Sequence, residues 1–536
     1  MTQQTSSVDD LLSRLGLANQ PTGAIPAAVS GQAVALATRP APAAVAPSPV
    51  TVAPSKLNPE AAASEARRRE AEIRLAETLQ RLKGGPVASR PAEPVSVQTR
   101  IEPARPVTAT PVPPIAAPPA QRFWPRAARN LADLGVTDTE IISLVLKYLS
   151  HRGTDSGSHI AIHVGLRYPV IETIMRQLKA DKLVLYKSSL TGGDYQYELT
   201  DLGRARALQL SEMCTYFGTA PVPLTQYIAS VKAQSISELK PALASIREAL
   251  SDLNINEKLL SNVGQAIHSG RGMFLFGAAG NGKTSIAERV TKSFGDTVWI
   301  PKSISAAGEI IRLFDPNRHK PVPVTDPDIL DEFDGRWVHI ERPTIIVGGE
   351  LRMENLEITI IRNTGIGEAP LQLKANCGTL LIDDFGRQTM PVDQLLNRWI
   401  IPLEQRHDFL QLESGRSIQV PFDQLIIFST NLEPKHLVDD AFLRRIPYKI
   451  EINDPSEEEF RSLLLSLAQK WGYQCQPSAV DHLIRTHYTP VGRPFRFCQP
   501  RDLLLQVKNR CTLHGLPYVV DEEALDQAVH NYFSIM

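Results

Sequence analysis

Residues 226–536 predict an α/β core with a parallel sheet, closed by a helical C-terminal region, and three observations carry that expectation. An apolar strand, Met273–Phe276, runs into the glycine-rich stretch GAAGNGKT, which opens a helix over Ser285–Val290. A second apolar strand, Thr379–Ile382, stops at the adjacent carboxylates Asp383 and Asp384. Strand-like and helix-like runs alternate as far as Asp454, and only helical patterns follow. Parallel strands cannot be joined by tight turns, so such alternation is what crossover helices impose on a sequence.

At 536 residues the chain is long enough for two to four folded units, at roughly 100–200 residues each. Its 57 Lys and Arg against 58 Asp and Glu leave a net charge of −1. No global field therefore points to nucleic acid, a membrane surface or an acidic substrate, and any such partner must be recognised locally. The 5 cysteines, Cys214, Cys377, Cys475, Cys498 and Cys511, lack CxxC spacing, which speaks against a disulfide framework or a zinc site and fits a reducing cytoplasm. The start, MTQQTSSVDDLL, has neither the basic residues nor the apolar run of a secretion signal. No stretch reaches the ~18 apolar residues of a membrane span, so a soluble intracellular protein without membrane insertion is expected.

Residues 1–122 read as an Ala/Pro-rich tail. Segments such as RPAPAAVAPSPVTVAPS lack the large side chains that offset the entropy of ordering, which predicts a disordered and partly polyproline tether. Two islands interrupt it. Ser7–Leu17 can form one short amphipathic helix, a docking peptide or a transient structure, and Pro59–Leu82 is helix-prone with little apolar face.

Residues 123–225 form the next expected unit. Helix Asp138–Ser150 carries Ile141, Ile142, Val145, Leu146 and Leu149 at helical spacing. A short helix at Ile160–Val164 and a third at Pro169–Ala180 follow, then strands Leu183–Lys187 and Tyr195–Leu199 about a turn at Thr191–Asp194, and a last helix. That order resembles a winged helix. Such a module often reads DNA, yet the third helix offers only Arg176 and Lys179 near Arg167, the turn offers Lys187, and acidic residues match the basic ones. A DNA face needs basic excess to neutralise phosphates, so the charge balance favours a protein contact or a structural role, with DNA as the alternative.

The chemistry is concentrated in residues 226–455. In Gly277, Ala278, Ala279, Gly280, Asn281, Gly282, Lys283, Thr284 and Ser285 the glycines let backbone N–H groups turn inward around phosphates at a helix N-terminus. Lys283 reaches terminal phosphates and Thr284 presents a hydroxyl to Mg²⁺, which predicts an ATP and Mg²⁺ site. A carboxylate at the end of the second strand, Asp383, suits the metal side of that site.

With these motifs the chain resembles an AAA+ ATPase from Ser237 to its C-terminus. The resemblance implies that Asp384 activates the attacking water, and that Asn431, ending LIIFSTN, is the first sensor. In DDAFLRRIPYKIEI it makes Arg445, directly before the next strand, the arginine finger donated to a neighbouring subunit, with Arg444 as the alternative. QPRDLLLQVKNR resembles the second sensor, placing Arg501 over the γ-phosphate from a helical lid at 456–536. Ser456 and Glu459 form a capping box at its first helix, with Phe460, Leu463, Leu464 and Leu467 on one face.

Two departures stand out. The family more often has Glu where Asp384 stands, which opens the reading of an ATP switch that does not hydrolyse. The interval from Thr284 to Asp383 is long and strand-rich, and DFLQLESGRSIQVPFDQ reads as a hairpin about Ser414–Gly415. Insertions at both places resemble the branch with MoxR-like chaperones, magnesium chelatase and enhancer-binding activators, whose hairpins face a pore. No GAFTGA-like loop is present. Over its whole length the chain resembles bacterial predicted ATPases with chaperone activity. The resemblance implies a homo-hexameric ring that remodels or assembles a protein client, recruited with any adaptor through the winged helix and the tail. A DNA-directed ATPase is the second reading. His163, His407 and His436 show no ligand-like grouping.

Overall fold

The structure, a computed structural model, describes residues 123–534 apart from 191, 331 and 362–363. The tail, with its expected helices at Ser7–Leu17 and Pro59–Leu82, lies outside the described residues.

The first described unit folds around Ile141, Val145, Ile160, Ile171, Ile174 and Leu178, all fully buried. Its opening helix, Asp138–Arg152, begins at Thr137, whose hydroxyl accepts from the Glu140 amide while Glu140 returns to the Thr137 amide. That reciprocal cap satisfies donors that a helix start otherwise leaves open. Helices Gly157–Val164 and Tyr168–Ala180 follow at the expected places. The sheet has three antiparallel strands, with Tyr195–Leu199 between Val184–Ser189 and a short strand at Thr154–Ser156. Nothing in the sequence TDS marks that third strand. Only its pairing with Gln196, Tyr197 and Glu198 makes it one.

The central sheet contains five strands, β1 (Met273–Phe276), β2 (Thr344–Val347), β3 (Thr379–Ile382), β4 (Leu425–Thr430) and β5 (Tyr448–Glu451). All pairs are parallel and the spatial order is β2-β3-β4-β1-β5. Alternate residues enter two separate cores, as the pleat requires. Phe274, Leu380, Ile426 and Phe428 face one that includes Trp399, while Leu275, Leu381 and Ile427 face the other with Ile286 and Val263. Both faces being covered explains why these strands read as continuous apolar runs.

The strand-rich interval before Asp383 holds an antiparallel pair, Thr297–Pro301 with Trp337–Glu341, and most of a second five-stranded sheet. The expected hairpin is present as His407–Gln411 and Ser417–Pro421. The two excursions share one core, in which Val298, Ile304 and Ile311 meet Leu410 and Val420. The hairpin tip is also tied down, because the amides of Glu413 and Ser414 donate to the Glu309 carboxylate. Residues Ala220–Leu224, which lead out of the first unit, are pinned as well, since Val222–Pro223 forms an edge strand of the second sheet. Arg336, buried and held by Asp334, donates to the carbonyls of Leu134 and Pro221 and so binds the first unit to this one.

After β5 the chain is mainly helical, with α1 (Glu457–Lys470), α2 (Pro477–Leu483), α3 (Gln499–His514) and α4 (Glu522–Phe533) around Phe460, Leu464, Leu503 and Leu525. The expected all-helical pattern is broken by one short parallel pair, Gln474–Cys475 with Val519–Val520, two-residue strands too short to leave a sequence period. The capping box at Ser456 and Glu459 forms as its spacing predicts. Leu463 and Leu467 are only half-buried, and Leu463 faces the cleft described below. No described helix is long and apolar enough to cross a membrane.

Candidate functional site

The loop after β1 turns on glycines with left-handed or otherwise positive φ, +138° at Gly277, +85° at Gly280 and +80° at Gly282. Two of them also lack room for a side chain. A Cβ on Gly277 would stand 2.4 Å from the Ile452 carbonyl oxygen, and one on Gly280 2.5 Å from the Cys498 sulfur. The following helix is Lys283–Val290, two residues longer at its start than the sequence suggested. Gly282 is its cap and no side chain covers the first amides, which leaves them directed into the cleft for an anion.

Lys283 is 7% exposed, and its Nζ donates to the carbonyls of Gly277 at 3.0 Å and Ala278 at 2.9 Å and to Asn431 Oδ1 at 2.7 Å. Burial lowers its pKa below the ordinary lysine value, against the opposing charges of Asp383 and Asp384. The Thr284 hydroxyl donates to Asp383 Oδ2 at 2.7 Å. Asp383 Oδ1 in turn accepts the amide of Asp384. Asp384 itself is exposed and stands at φ +48°, a region that non-glycine residues seldom occupy and that recurs at working sites. Asn431 Nδ2 lies 3.4 Å from Asp384 Oδ1. A hydroxyl and carboxylate oxygens brought together in this way form a hard, all-oxygen donor set, which fits Mg²⁺.

These groups line a cleft of about 520 Å³ between the central sheet and the C-terminal helices. Ala279 to Ile286 form its floor, whereas Gly277 and Ala278 lie behind and serve Lys283 with their carbonyls. Arg501 reaches the cleft wall but is 61% exposed and paired with Asp502. Arg445 is not among the lining residues. Its side chain, 14% exposed, pairs with Glu404 at 2.7 Å, while Arg444 beside it is exposed.

Sequence reasoning missed two parts of the site. Arg496 pairs with Asp454, which also accepts from Asn281 Nδ2 at 2.7 Å, and the Cys498 amide donates to the Gly280 carbonyl at 2.9 Å. The helical domain is thus bonded to the glycine-rich loop itself. The other missed part is an apolar wall of Leu253, Ile255, Leu259 and Leu463 with Asn254 and Asn262 nearby. The run Leu253–Ile255 carries no motif, and only its position beside the loop marks it.

Residues 456–531 match the model of a domain of unknown function, DUF8689. No curated protein matches the chain. Among solved structures, the Thermotoga maritima RuvB Holliday junction branch migration motor aligns at 13% identity over 54% of this chain and 73% of its own, with a TM-score of 0.30. A point mutant of the same RuvB aligns at 12% identity over 56% and 72%, also at 0.30. NtrX from Brucella abortus aligns at 14% identity and a TM-score of 0.34, over 54% of this chain and 59% of its own. Likeness at this level carries no weight for function, which rests on the geometry above.

Proposed function

We propose that the chain is an ATPase of the AAA+ class that works as a homo-hexameric ring and moves a protein client. What supports this most is the convergence of Lys283, Thr284, Asp383, Asp384 and Asn431 from the ends of three strands, β1, β3 and β4, at one cleft under a helical domain. Ligands of open α/β sheets bind at carboxyl strand ends where the strand order reverses, and here β1 lies between β4 and β5 with its successor β2 at the far edge.

In this reading the amides of Gly280 to Ser285 hold the phosphates and Lys283 exchanges its carbonyl partners for phosphate oxygens. Thr284 and Asp383 would hold Mg²⁺, which neutralises phosphate charge when bound. Asp384 takes a proton from the attacking water, and Asn431, already bonded to Lys283, orients that water against Asp384. Leu253, Ile255, Leu259 and Leu463 give an adenine ring its apolar surroundings. Arg501 leaves Asp502 for the γ-phosphate, and Arg445 leaves Glu404 for the ATP of a neighbouring subunit. Loss of the γ-phosphate then changes the contacts of the helical domain through Arg496 and Cys498. The two excursions that share a core support the resemblance to the hairpin-bearing branch.

The winged-helix-like unit serves as the recruiting module, with the tail. Three basic residues of its third helix and first wing strand have partners within the unit: Arg176 pairs with Glu172, Lys187 with Glu198, and Lys179 sits 3.4 Å from the Tyr186 ring centroid. That commitment favours a protein partner over DNA. ATP turnover of the wild type and of Asp384→Asn, each with and without duplex DNA, tests the whole reading. We expect wild-type turnover, its loss in the variant, and no response to DNA. Salt-sensitive stimulation by DNA would support a DNA-directed ATPase, and wild-type binding without turnover a nucleotide switch.

A further inference from the structure

Two histidines and an aspartate of the C-terminal helical domain converge on its surface, and none of them lines the nucleotide cleft. His482 belongs to α2, His487 to its π-helical continuation Ile484–Tyr488, and Asp526 to α4. On a regular α-helix, positions five apart diverge by about 140° around the axis. A π turn bonds residues five apart and brings such positions onto one face, and isolated π turns recur at functional sites. Here the widened turn aligns His487 with His482.

Both Nε2 atoms address one oxygen, Asp526 Oδ1, at 3.0 Å from His482 and 2.6 Å from His487. The three candidate ligand atoms lie within 4.8 Å of one another. Bonds of about 2.0–2.1 Å in a tetrahedral site put ligand atoms roughly 3.3 Å apart, so ligand atoms must shift by about an ångström, a distance within the reach of side-chain rotation. The other nitrogen of His482, Nδ1, lies 3.5 Å from Thr486 Oγ1 and 3.6 Å from Glu522 Oε2, one turn before Asp526 on α4, where a small shift would bring the carboxylate into hydrogen-bond range. A carboxylate on the far nitrogen is how a metal-binding imidazole is usually oriented, because it holds the proton there and leaves the inner nitrogen free to ligate. The side chains of His482, His487 and Asp526 are 20%, 25% and 45% exposed, which leaves water access to a remaining position.

We propose that His482, His487 and Asp526 form a binding site for a borderline divalent transition-metal ion of the Zn²⁺ class, with Glu522 orienting His482. Two imidazole nitrogens with one carboxylate oxygen suit that class over Mg²⁺ or Ca²⁺. A bound ion clamps α2 and its π turn to α4, the last described helix of the chain.

The test is Zn²⁺ binding to the metal-stripped full chain at mildly alkaline pH, because a metal ion competes with protons for its ligands. Competition with a chromogenic chelator should show a site that weakens at least ~100-fold in His487→Ala and about 10-fold in Glu522→Gln. Binding unchanged in His482→Ala and His487→Ala would overturn the site. Carbethoxylation of the wild type gives an answer independent of how the variants fold. Zn²⁺ should protect His482 and His487 but not His159 or His436, and equal labelling of all four with and without Zn²⁺ would equally overturn it.

Discussion

The ammonium of Lys283 donates a 2.7 Å hydrogen bond to Asn431 Oδ1, joining the loop after β1 to the end of the adjacent strand β4. Because that oxygen is committed to Lys283, the Asn431 amide nitrogen is turned toward Asp384. Lys283, Asn431 and Asp384, to which the proposed function gives the phosphate-binding, water-positioning and proton-accepting roles, are therefore joined to one another before any ligand enters.

Lys283→Ala should weaken ATP binding at least ~100-fold, the scale of losing charge-assisted bonds to phosphate. Titration with a fluorescent ATP analogue measures it. Burial lowers the Lys283 pKa, so its charge is lost as pH rises at values below the usual 10.5. Wild-type affinity should decline over that alkaline range, and the Ala variant should show no such step.

Asp384→Asn should keep ATP affinity and lose about 10²–10⁴-fold in turnover, the usual contribution of a general base. Asn is among the few residues that tolerate the left-handed backbone at φ +48°, so this variant keeps the local fold. Single-turnover hydrolysis alongside equilibrium binding separates the two effects. Undiminished turnover would remove Asp384 from the mechanism.

Arg445→Ala should bind ATP and hydrolyse it about 10³–10⁵-fold more slowly, the range for a donated arginine. Mixing it with Lys283→Ala should restore part of the rate, because the second variant supplies an intact Arg445 in trans. Arg444→Ala is the control. Should the loss and the rescue follow Arg444 instead, the exposed neighbour is the donated cation.

Arg336→Ala should destabilise the protein by about 3–5 kcal/mol, because Asp334 is left charged and buried, at 3% exposure. The carbonyls of Leu134 and Pro221 lose their donor in the same step. Denaturant unfolding should show the first unit separating from the rest before global unfolding.

By itself the sequence determined whatever depends on neighbours along the chain. Glycines at 277, 280 and 282 permit the loop's backbone, apolar runs covered on both faces specify β3 and β4, and Ser456 with Glu459 specifies a helix start. Even the placement of Lys283, Asp383 and Asn431 was legible, because Asp383 and Asn431 directly follow strands and Lys283 closes the glycine loop after one. Only the tertiary structure decided which distant groups meet. Arg496 rather than Arg501 bonds toward the loop, Arg445 pairs with Glu404, Leu253 and Ile255 wall the cleft, and a π turn sets His487 beside His482 and Asp526. Those pairings are distances through space between segments far apart in the chain, and they are set by packing, to which local residue spacing gives no access.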